Sequence, residues 1–389
     1  MILALLHGAG DFDESLKIVN TCGWDTDCNS ANVGCILGVR NGLAGISPKW
    51  RDPVADRLYL PNADGGRSIT DAANEAIHVA NAGRRLAGLD PIGPKPRFNF
   101  ELPGSVQGWQ EARHEDGALR IVGRASTPTF IPLHTKDMVT GYMLVANPTL
   151  FPGHRVRAIA REGQGRLFLS HYGPEDASIT VEGPVFDGGE AVWTIPEVGG
   201  YPIYEIGVEG DVLLESMDWR GVPSTSWPPV EGTMPGRAWV DALDRFNYVR
   251  DRFDFLVQNE GVGLLTQGSR DWDDYRVTVR LVPRLAKSCG VVIRCQGLRR
   301  YVAFLFGAEG EVRFDRCQYG RKTLARAGFD WHQYAEYEVE LEAEGNTFRA
   351  FIDGKLVLTA QDDSLASGGF GFVVEEGCLG AGTPEVSPL

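Results

Sequence analysis

The sequence predicts a multidomain α + β protein in which a helical N-terminal part is followed by two antiparallel β-sandwiches. The chain has 389 residues, enough for two or three domains. Small and apolar residues recur at helical spacing in the first quarter of the chain, and strand-length alternation with Gly and Pro between the strands follows. Pro91, Pro94 and Pro96 separate the two patterns, because proline ends helices. The expected domains are residues 1–92, 97–232 and 236–389.

The helical part begins with clear capping signals. Asp11 or Asp13 is placed to cap a first helix, and Ser47 is placed to cap a short one that opens with Pro48. The run that starts at Ser68 is predicted to open a long helix. The expected long helices cover residues 11–22, 29–42 and 68–88.

Two carboxylates stand close together in the turn before the second helix. The run Gly23-Trp24-Asp25-Thr26-Asp27-Cys28 places Asp25 and Asp27 two residues apart. Carboxylate oxygens are ligands of hard cations such as Mg²⁺ and Ca²⁺, and a helix N-terminus favours negative charge. The two aspartates are therefore candidate metal ligands. A second interpretation stays open, in which Asp27 or Asn29 only caps the helix.

The helix after this turn carries small residues on one face. Ala31, Gly34, Cys35 and Gly38 follow the spacing i, i+3, i+4, i+7. Such a face can approach another helix very closely. We therefore expect the two aspartates to lie at the N-terminal end of a buried helix.

The order of these segments resembles the C-terminal metal motif of the ADP-ribosylglycohydrolase family, over roughly residues 3–90. The resemblance implies an all-helical domain with two Mg²⁺ ions that orient ADP-ribose for hydrolysis at the ribose anomeric carbon. By position, Asp25 and Asp27 match two carboxylate ligands of that family. Cys28 stands where the family usually has a hydroxyl ligand, and a thiol is a poor partner for Mg²⁺.

Part of the family's site is not encoded in this sequence. The family's other metal ligands, a Thr-Asp-Asp type run, and its acidic residue near the scissile bond come from the N-terminal half of its fold, and this sequence contains no Thr-Asp-Asp run. A binuclear site needs ligands from both halves. We therefore expect a half-site here, completed by an upstream segment or a separate chain, and little or no catalysis by this chain alone.

After the prolines the sequence reads as β-strands. The run Trp272-Asp273-Asp274-Tyr275, the turn at Asp353-Gly354 and the repeat at 369–372 resemble the concanavalin-like (laminin-G-like) sandwich, in the variant shared with 3-keto-disaccharide hydrolase domains. Glu338, Glu340 and Glu342 alternate with apolar residues and are predicted to form the solvent face of a strand. The expected strands include 139–145, 155–161, 166–172, 212–219, 275–281, 289–295 and 301–306.

Exposed aromatic residues of such sandwiches often bind carbohydrate, which makes Trp272 and Trp331 candidate ligand-binding residues. The other interpretation is that these rings fill the core between the sheets. Further aromatic candidates are Tyr301, Tyr319 and Tyr334.

The composition restricts the partners and the compartment. The formal net charge is −14, which argues against binding to nucleic acid or to an anionic membrane. Seven cysteines without a C-x-x-C pair suggest a reducing compartment, and Cys22, Cys28 and Cys35 are more typical of small buried residues than of ligands. No signal peptide or membrane span is predicted, so the expected location is cytoplasmic.

Two functions are consistent with these patterns. The first is the C-terminal part of a Mg²⁺-dependent hydrolase that cleaves a glycosidic bond of ADP-ribose or a related riboside. The second is a non-catalytic protein whose sandwiches bind a glycan or a protein. A large exposed apolar surface on the helical part would favour a missing partner for it.

Overall fold

The computed structural model describes residues 1–60, 67–131, 146–249, 252–307 and 310–389. It confirms the predicted fold class, because helices near the N-terminus are followed by antiparallel β-sheets. The expected strand 139–145 lies outside the described residues. None of the described helices is both long enough and apolar enough to cross a membrane.

The helical part contains five α-helices, one short 3-10 helix (Leu43–Gly45) and a two-stranded ribbon among its described residues. Asp11 caps the second helix by accepting a 2.7 Å hydrogen bond from the Glu14 backbone N–H. Asp71 caps the last one in the same way through Asn74, so the helix predicted from Ser68 begins only after a short strand. The elements are α1 (Ile2–His7), α2 (Phe12–Thr21), α3 (Thr26–Asn41), α4 (Pro48–Arg51), β1 (Arg57–Tyr59), β2 (Ile69–Asp71) and α5 (Ala72–Leu86).

Helix α3 packs on α2 through a face that matches the predicted one only at Gly34 and Gly38. Val33 and Leu37 are its buried residues, and Gly34 faces the ring of Phe12. Ala31 and Cys35, which were expected to face a neighbouring helix, are exposed. The helix is therefore only partly buried, and one side of it is in contact with solvent.

Many large apolar side chains of the helical part are exposed, and we call them the exposed apolar surface. On α1, Ile2 is 74% and Leu6 is 73% exposed, while only Ala4 of that helix is buried. The surface comprises Ile2, Leu3, Leu6, Trp24, Ile36, Val39, Val54, Val79, Leu86 and Leu89.

Backbone and side-chain bonds attach the helical part to the middle of the chain. Asp56 accepts a 2.7 Å hydrogen bond from the Ser105 hydroxyl and a 2.9 Å bond from the Val106 N–H. The Gly108 N–H donates to the Ala55 carbonyl at 2.7 Å. These bonds hold the residues after α4 against residues 105–108, which precede the next strand of the chain.

The strands between residues 110 and 218 pair in one antiparallel sheet, in the order β3-β4-β7-β5-β6. Its long strands run through β-bulges, for example between Ala160 and Gln164, and bulges bend a strand. The two strands predicted at 155–161 and 166–172 are one continuous strand. The elements are β3 (Gln110–Glu115), β4 (Ala118–Pro128), β5 (Arg155–Tyr172), β6 (Ser178–Thr194) and β7 (Ile203–Asp218).

A second, larger antiparallel sheet system covers the remaining residues. Its central strand, Tyr275–Gly297, joins the two strands predicted at 275–281 and 289–295. The elements are β8 (Thr225–Ser226), α6 (Met234–Arg237), β9 (Val240–Ala242), β10 (Arg245–Val249), β11 (Arg252–Gln267), β12 (Tyr275–Gly297), β13 (Arg300–Phe306), β14 (Glu311–Gln318), β15 (Arg321–Gly328), β16 (Tyr337–Glu344), β17 (Thr347–Ile352), β18 (Lys355–Gln361), β19 (Gly369–Ala381) and β20 (Glu385–Pro388).

Strand β12 organises this last module. Its first half pairs with β16 and β20, its second half pairs with β13, and β19 pairs with both halves. The inward residues of these strands form the largest hydrophobic core of the chain. On β16 the glutamates point outward and Val339 and Leu341 are buried, which confirms the predicted alternation.

Candidate metal centre

The turn with the two aspartates leads directly into α3. Asp25 occupies the N-cap position with φ 48° and ψ 53°, a left-handed conformation that Asp tolerates better than most residues. Its side chain makes no capping hydrogen bond, unlike Asp11 and Asp71 at the other two long helices. Asp27 lies inside the first turn of the helix.

The structure does not support the second interpretation, in which Asp27 or Asn29 caps the helix. Asp27 and Asn29 both lie within α3 and neither is its N-cap residue. The Asn29 side-chain amide donates a 2.9 Å bond backward to the Trp24 carbonyl. The Asp25 carboxylate is left at the helix N-terminus, where the helix dipole favours negative charge.

The structure brings the three predicted ligand residues together. One ligand atom from each of Asp25, Asp27 and Cys28 can be chosen so that all three lie within 4.8 Å of one another. All three residues are exposed. Two carboxylates are a usual protein contribution to a Mg²⁺ site, which keeps several water or substrate ligands. The oxygen donors therefore fit a hard divalent cation.

The thiol of this cluster is held in its neutral form. A hydrogen bond to Asp25, followed by the charges of Asp25 and Asp27, raises the pKa of the Cys28 thiol above its usual value. A neutral thiol is a poor ligand for Mg²⁺. The donor set therefore fits the cation through its carboxylates, and the thiol adds nothing to an oxygen-coordinated site.

The three N-terminal cysteines are not the small buried residues that were predicted. Cys22, Cys28 and Cys35 are all exposed. The prediction assumed that the face of α3 with the small residues was covered by another helix. In the structure the buried residues of α3 are Val33 and Leu37. The seven cysteines are all free thiols.

Trp272 is not available to a ligand in this structure, so its predicted binding role is corrected. Its side chain is fully buried, with the ring stacked 6.4 Å from Phe370 and edge-on to Tyr275. Burying so large an apolar ring in the core of the last module is energetically more favourable than leaving it exposed to solvent. Tyr301 is likewise 5% exposed.

Trp331 lies at the edge of the same core. Its ring is partly buried against Phe306, and its indole N–H donates a 3.0 Å bond to the Gly307 carbonyl. Tyr319 and Tyr334 are largely exposed, at 75% and 67%. No described contact joins these aromatic residues into one site.

A second polar site was not indicated by the sequence. A cleft of about 310 Å³ lies where α5, the segment after it and both β-modules meet. Arg97, Asp218 and Asp271 line it although they are far apart in the chain. No local sequence pattern marks such a cleft, because its walls come together only through long-range packing.

Residues 1–85 match the model of the ADP-ribosylglycohydrolase family. This match confirms the resemblance carried by the aspartate turn and its neighbouring helices. It covers less than half of the chain. No curated protein sequence matches the chain significantly.

The β-modules have low structural similarity to solved lectin-like proteins. A carbohydrate-binding module CBM66 from Bacillus subtilis is 16% identical and covers 38% of this chain and 94% of its own, with a TM-score of 0.33. A galectin from Caenorhabditis elegans is 18% identical and covers 30% of this chain and 83% of its own, with a TM-score of 0.26. A protein with a galectin-like fold from Bacillus subtilis is 14% identical over 34% of this chain and 80% of its own, with a TM-score of 0.30.

Proposed function

We propose that residues 1–92 supply half of the metal site of a hydrolase of the ADP-ribosylglycohydrolase type, which cleaves a glycosidic bond of ADP-ribose or a related riboside. The observation that carries the proposal is the convergence of Asp25 and Asp27 at the start of α3, inside the segment that matches this family. The Asp25 carboxylate makes no capping bond in this position. It is thus placed to bind a cation.

The chemistry of the site follows from its oxygen donors. A bound divalent cation would position a ribose diol and lower the pKa of a coordinated water. Asp25 and Asp27 would hold that cation, and the positive end of α3 favours their negative charge. Cys28 remains a neutral neighbour. The acid–base group and the remaining ligands would come from an upstream segment or a separate chain.

The exposed apolar surface supports the need for a complementing segment. Leu6 is 73% and Val39 is 85% exposed, although both lie on helices whose other faces form a core with Leu16 and Val33. Apolar helical faces are stabilised when they pack against a matching element. We propose that the segment carrying the remaining ligands covers this surface.

Calorimetric titration with Mg²⁺ tests the carboxylate half-site. The chain is expected to bind Mg²⁺, and an Asp25→Ala/Asp27→Ala variant is expected to lose this binding. Asp52→Ala/Asp90→Ala is the matched control, because it removes two exposed carboxylates from the same helical part. Absence of Mg²⁺ binding to the unmodified chain would refute the half-site. An equal loss of binding in the control would mean that binding depends on the overall negative charge and not on Asp25 and Asp27.

A second candidate function rests on the outer face of the last module. A groove of about 410 Å³ is lined by charged residues of both signs, including Arg280, Arg284 and Glu338. Gly380 and Gly382 lie along its lining without side chains. Paired donors and acceptors around an open groove suit the hydroxyl groups of a neutral glycan. Affinity for neutral oligosaccharides, lost in Arg280→Ala, would support this function, and binding unchanged by that substitution would reject it.

A further inference from the structure

The polar cleft beside α5 is formed by distant parts of the chain. Helix α5 contributes Glu75 and His78, the middle sheet contributes Asp218, and the last module contributes Asp271. Arg97, from the segment that follows the prolines, also lines the cleft. Its volume of about 310 Å³ lies at the lower end of the roughly 300–1,000 Å³ that small-molecule sites occupy. The cleft therefore has the size of a small-molecule site, and it shares no residue with the aspartate turn before α3.

The charges that line the cleft compensate one another. The lining arginines each pair with a lining carboxylate, and Lys95 pairs with Glu101. The remaining lining carboxylate, Asp71, is 2% exposed, and burial lowers the pKa of His78, which favours the neutral form of this ring. Among the described residues, the lining thus offers a charged ligand no exposed charge without a partner. The arginine pairs are Arg67–Glu75, Arg97–Asp271 and Arg220–Asp218.

These pairs leave hydrogen-bonding capacity on the cleft wall. A guanidinium carries several N–H donors, and that of Arg97 donates a single bond to a described residue, at 3.2 Å to Asp271. Each carboxylate oxygen of Asp271 accepts one bond, from Ser269 or from Arg97, although each oxygen has a further lone pair. The side chains of Arg97 and Asp271 are 23% and 29% exposed. Unused donors and acceptors therefore lie side by side where a ligand can reach them.

The backbone of Arg97 is held in place before any ligand binds. Its N–H donates a 3.0 Å bond to Asp218, and its carbonyl accepts bonds from the side-chain amides of Asn74 at 3.0 Å and Gln107 at 3.2 Å. Its guanidinium carbon lies 4.7 Å from the ring centroid of Trp219, a buried residue. A preformed wall loses little conformational entropy when a ligand binds, which favours affinity.

Apolar side chains complete the lining. Ile69, Phe98 and Pro128 lie on the cleft wall together with the polar groups. A sugar ring carries hydroxyl groups that both donate and accept hydrogen bonds, and C–H groups that pack on apolar surface. An ion or a purely apolar molecule would match only part of this wall.

We propose that the cleft binds an uncharged sugar of hexose size. Adjacent ring hydroxyls accept bonds from the remaining N–H groups of Arg97 and donate to the carboxylate of Asp271, and another hydroxyl meets the Arg220–Asp218 pair. The C–H groups of the ring pack on the apolar residues of the wall. This site depends neither on the proposed metal site nor on the outer groove of the last module.

Calorimetric titration of the full chain with glucose, galactose and mannose tests the proposal. At least one of these sugars is expected to bind. The 6-carboxylate and the 2-amino derivative of the sugar that binds most tightly are then titrated in the same way. Both derivatives are expected to bind at least about tenfold more weakly, because a carboxylate or an ammonium group loses its hydration without gaining an unpaired counter-charge.

Two substitutions test whether the sugar binds in this cleft. Arg97→Lys keeps the positive charge beside Asp271 but removes the planar set of donors, and Arg220→Gln breaks the second lining pair at a side chain that is 46% exposed. Each substitution is expected to weaken sugar binding about tenfold, and thermal unfolding shows whether each variant is folded. Arg113→Gln is the matched control, because Arg113 also pairs with a glutamate, is 74% exposed and is not among the residues that line the cleft.

The proposal is overturned if none of the three hexoses binds, if a charged derivative binds as tightly as its parent sugar, or if the folded variants bind as tightly as the unmodified chain. Sugar binding that is lost in Arg280→Ala and kept in Arg220→Gln would place the sugar in the outer groove and would overturn it as well. The Asp25→Ala/Asp27→Ala variant is expected to bind the sugar normally. A failure of the metal site is thereby distinguished from a failure of this one.

Discussion

Replacing Arg294, a buried arginine of the last module, is expected to lower the free energy of unfolding of that module. Arg294 has no exposed side-chain surface. Its guanidinium donates to Asp274 at 3.0 Å, to the Gly345 carbonyl at 3.2 Å and to the Ala366 carbonyl. These acceptors belong to three separate loops, so this one side chain ties the loops to strand β12.

The size of the effect follows from these bonds. Hydrogen bonds to charged groups contribute about 1.5–3 kcal/mol each. Asp274 is 47% exposed and regains water when the arginine is removed, which reduces its share. Burial of the guanidinium is itself costly, and Met recovers part of that cost. We therefore expect Arg294→Met to lower the free energy of unfolding by about 2–4 kcal/mol.

Urea unfolding followed by tryptophan fluorescence measures this loss, because Trp272 lies in the same core. Arg280→Met is the matched control, since Arg280 is 65% exposed and its carboxylate partners are 3.8 Å or more away. The control is expected to lose less than about 1 kcal/mol. If Arg294→Met loses no more than Arg280→Met, the role assigned to the buried guanidinium is wrong.

Two further predictions concern ionisation in the helical part. Asp25→Asn is expected to lower the raised pKa of Cys28 and so to speed the reaction of this thiol with a thiol reagent at mildly alkaline pH. The rate is measured in a protein whose other two exposed cysteines, Cys22 and Cys35, are replaced by serine. An unchanged rate, or an equal change in Asp52→Asn, would contradict this prediction. Burial raises the pKa of Asp71, so the folded state keeps this proton to higher pH than the unfolded chain. Protonation of Asp71 therefore contributes to the free energy of unfolding. This contribution is complete below the ordinary Asp pKa and is lost as the pH rises through the raised pKa. Asp71→Asn keeps a capping residue without this loss. Its melting temperature relative to the unmodified chain is therefore expected to rise as the pH increases above the ordinary Asp pKa, and a constant difference would refute the assignment.

The local features of the helical part were predictable because they depend on neighbours in sequence. The cap at Asp11 and the helix after the aspartate turn follow from residues within one helical turn of each other. The proximity of Asp25, Asp27 and Cys28 follows from their spacing in the same way. What covers each helix face depends on distant residues, which is why Cys35 was expected to be buried and is exposed.

The β-modules show the same limit of local patterns. Alternation identified 155–161 and 166–172 as strands but not their continuity, because residues in a bulge interrupt the alternation without ending the pairing. The pattern around Trp272 indicated a strand but not the direction of its ring. The polar cleft lined by Arg97 and Asp271 had no signal at all, since these two residues meet only through long-range packing.

Strand β20 has a consequence for how the last module acquires its structure. It pairs with β8 through Val386 and Thr225, and the Trp227 N–H donates to the Pro384 carbonyl at 3.1 Å. Residues 225–227 must therefore wait for about 160 later residues before their partners leave the ribosome. Contacts of such sequence separation slow folding and leave strand edges open in the meantime. Nascent chains that stop before residue 384 are expected to leave β8 and one edge at the start of β12 without their partner strand.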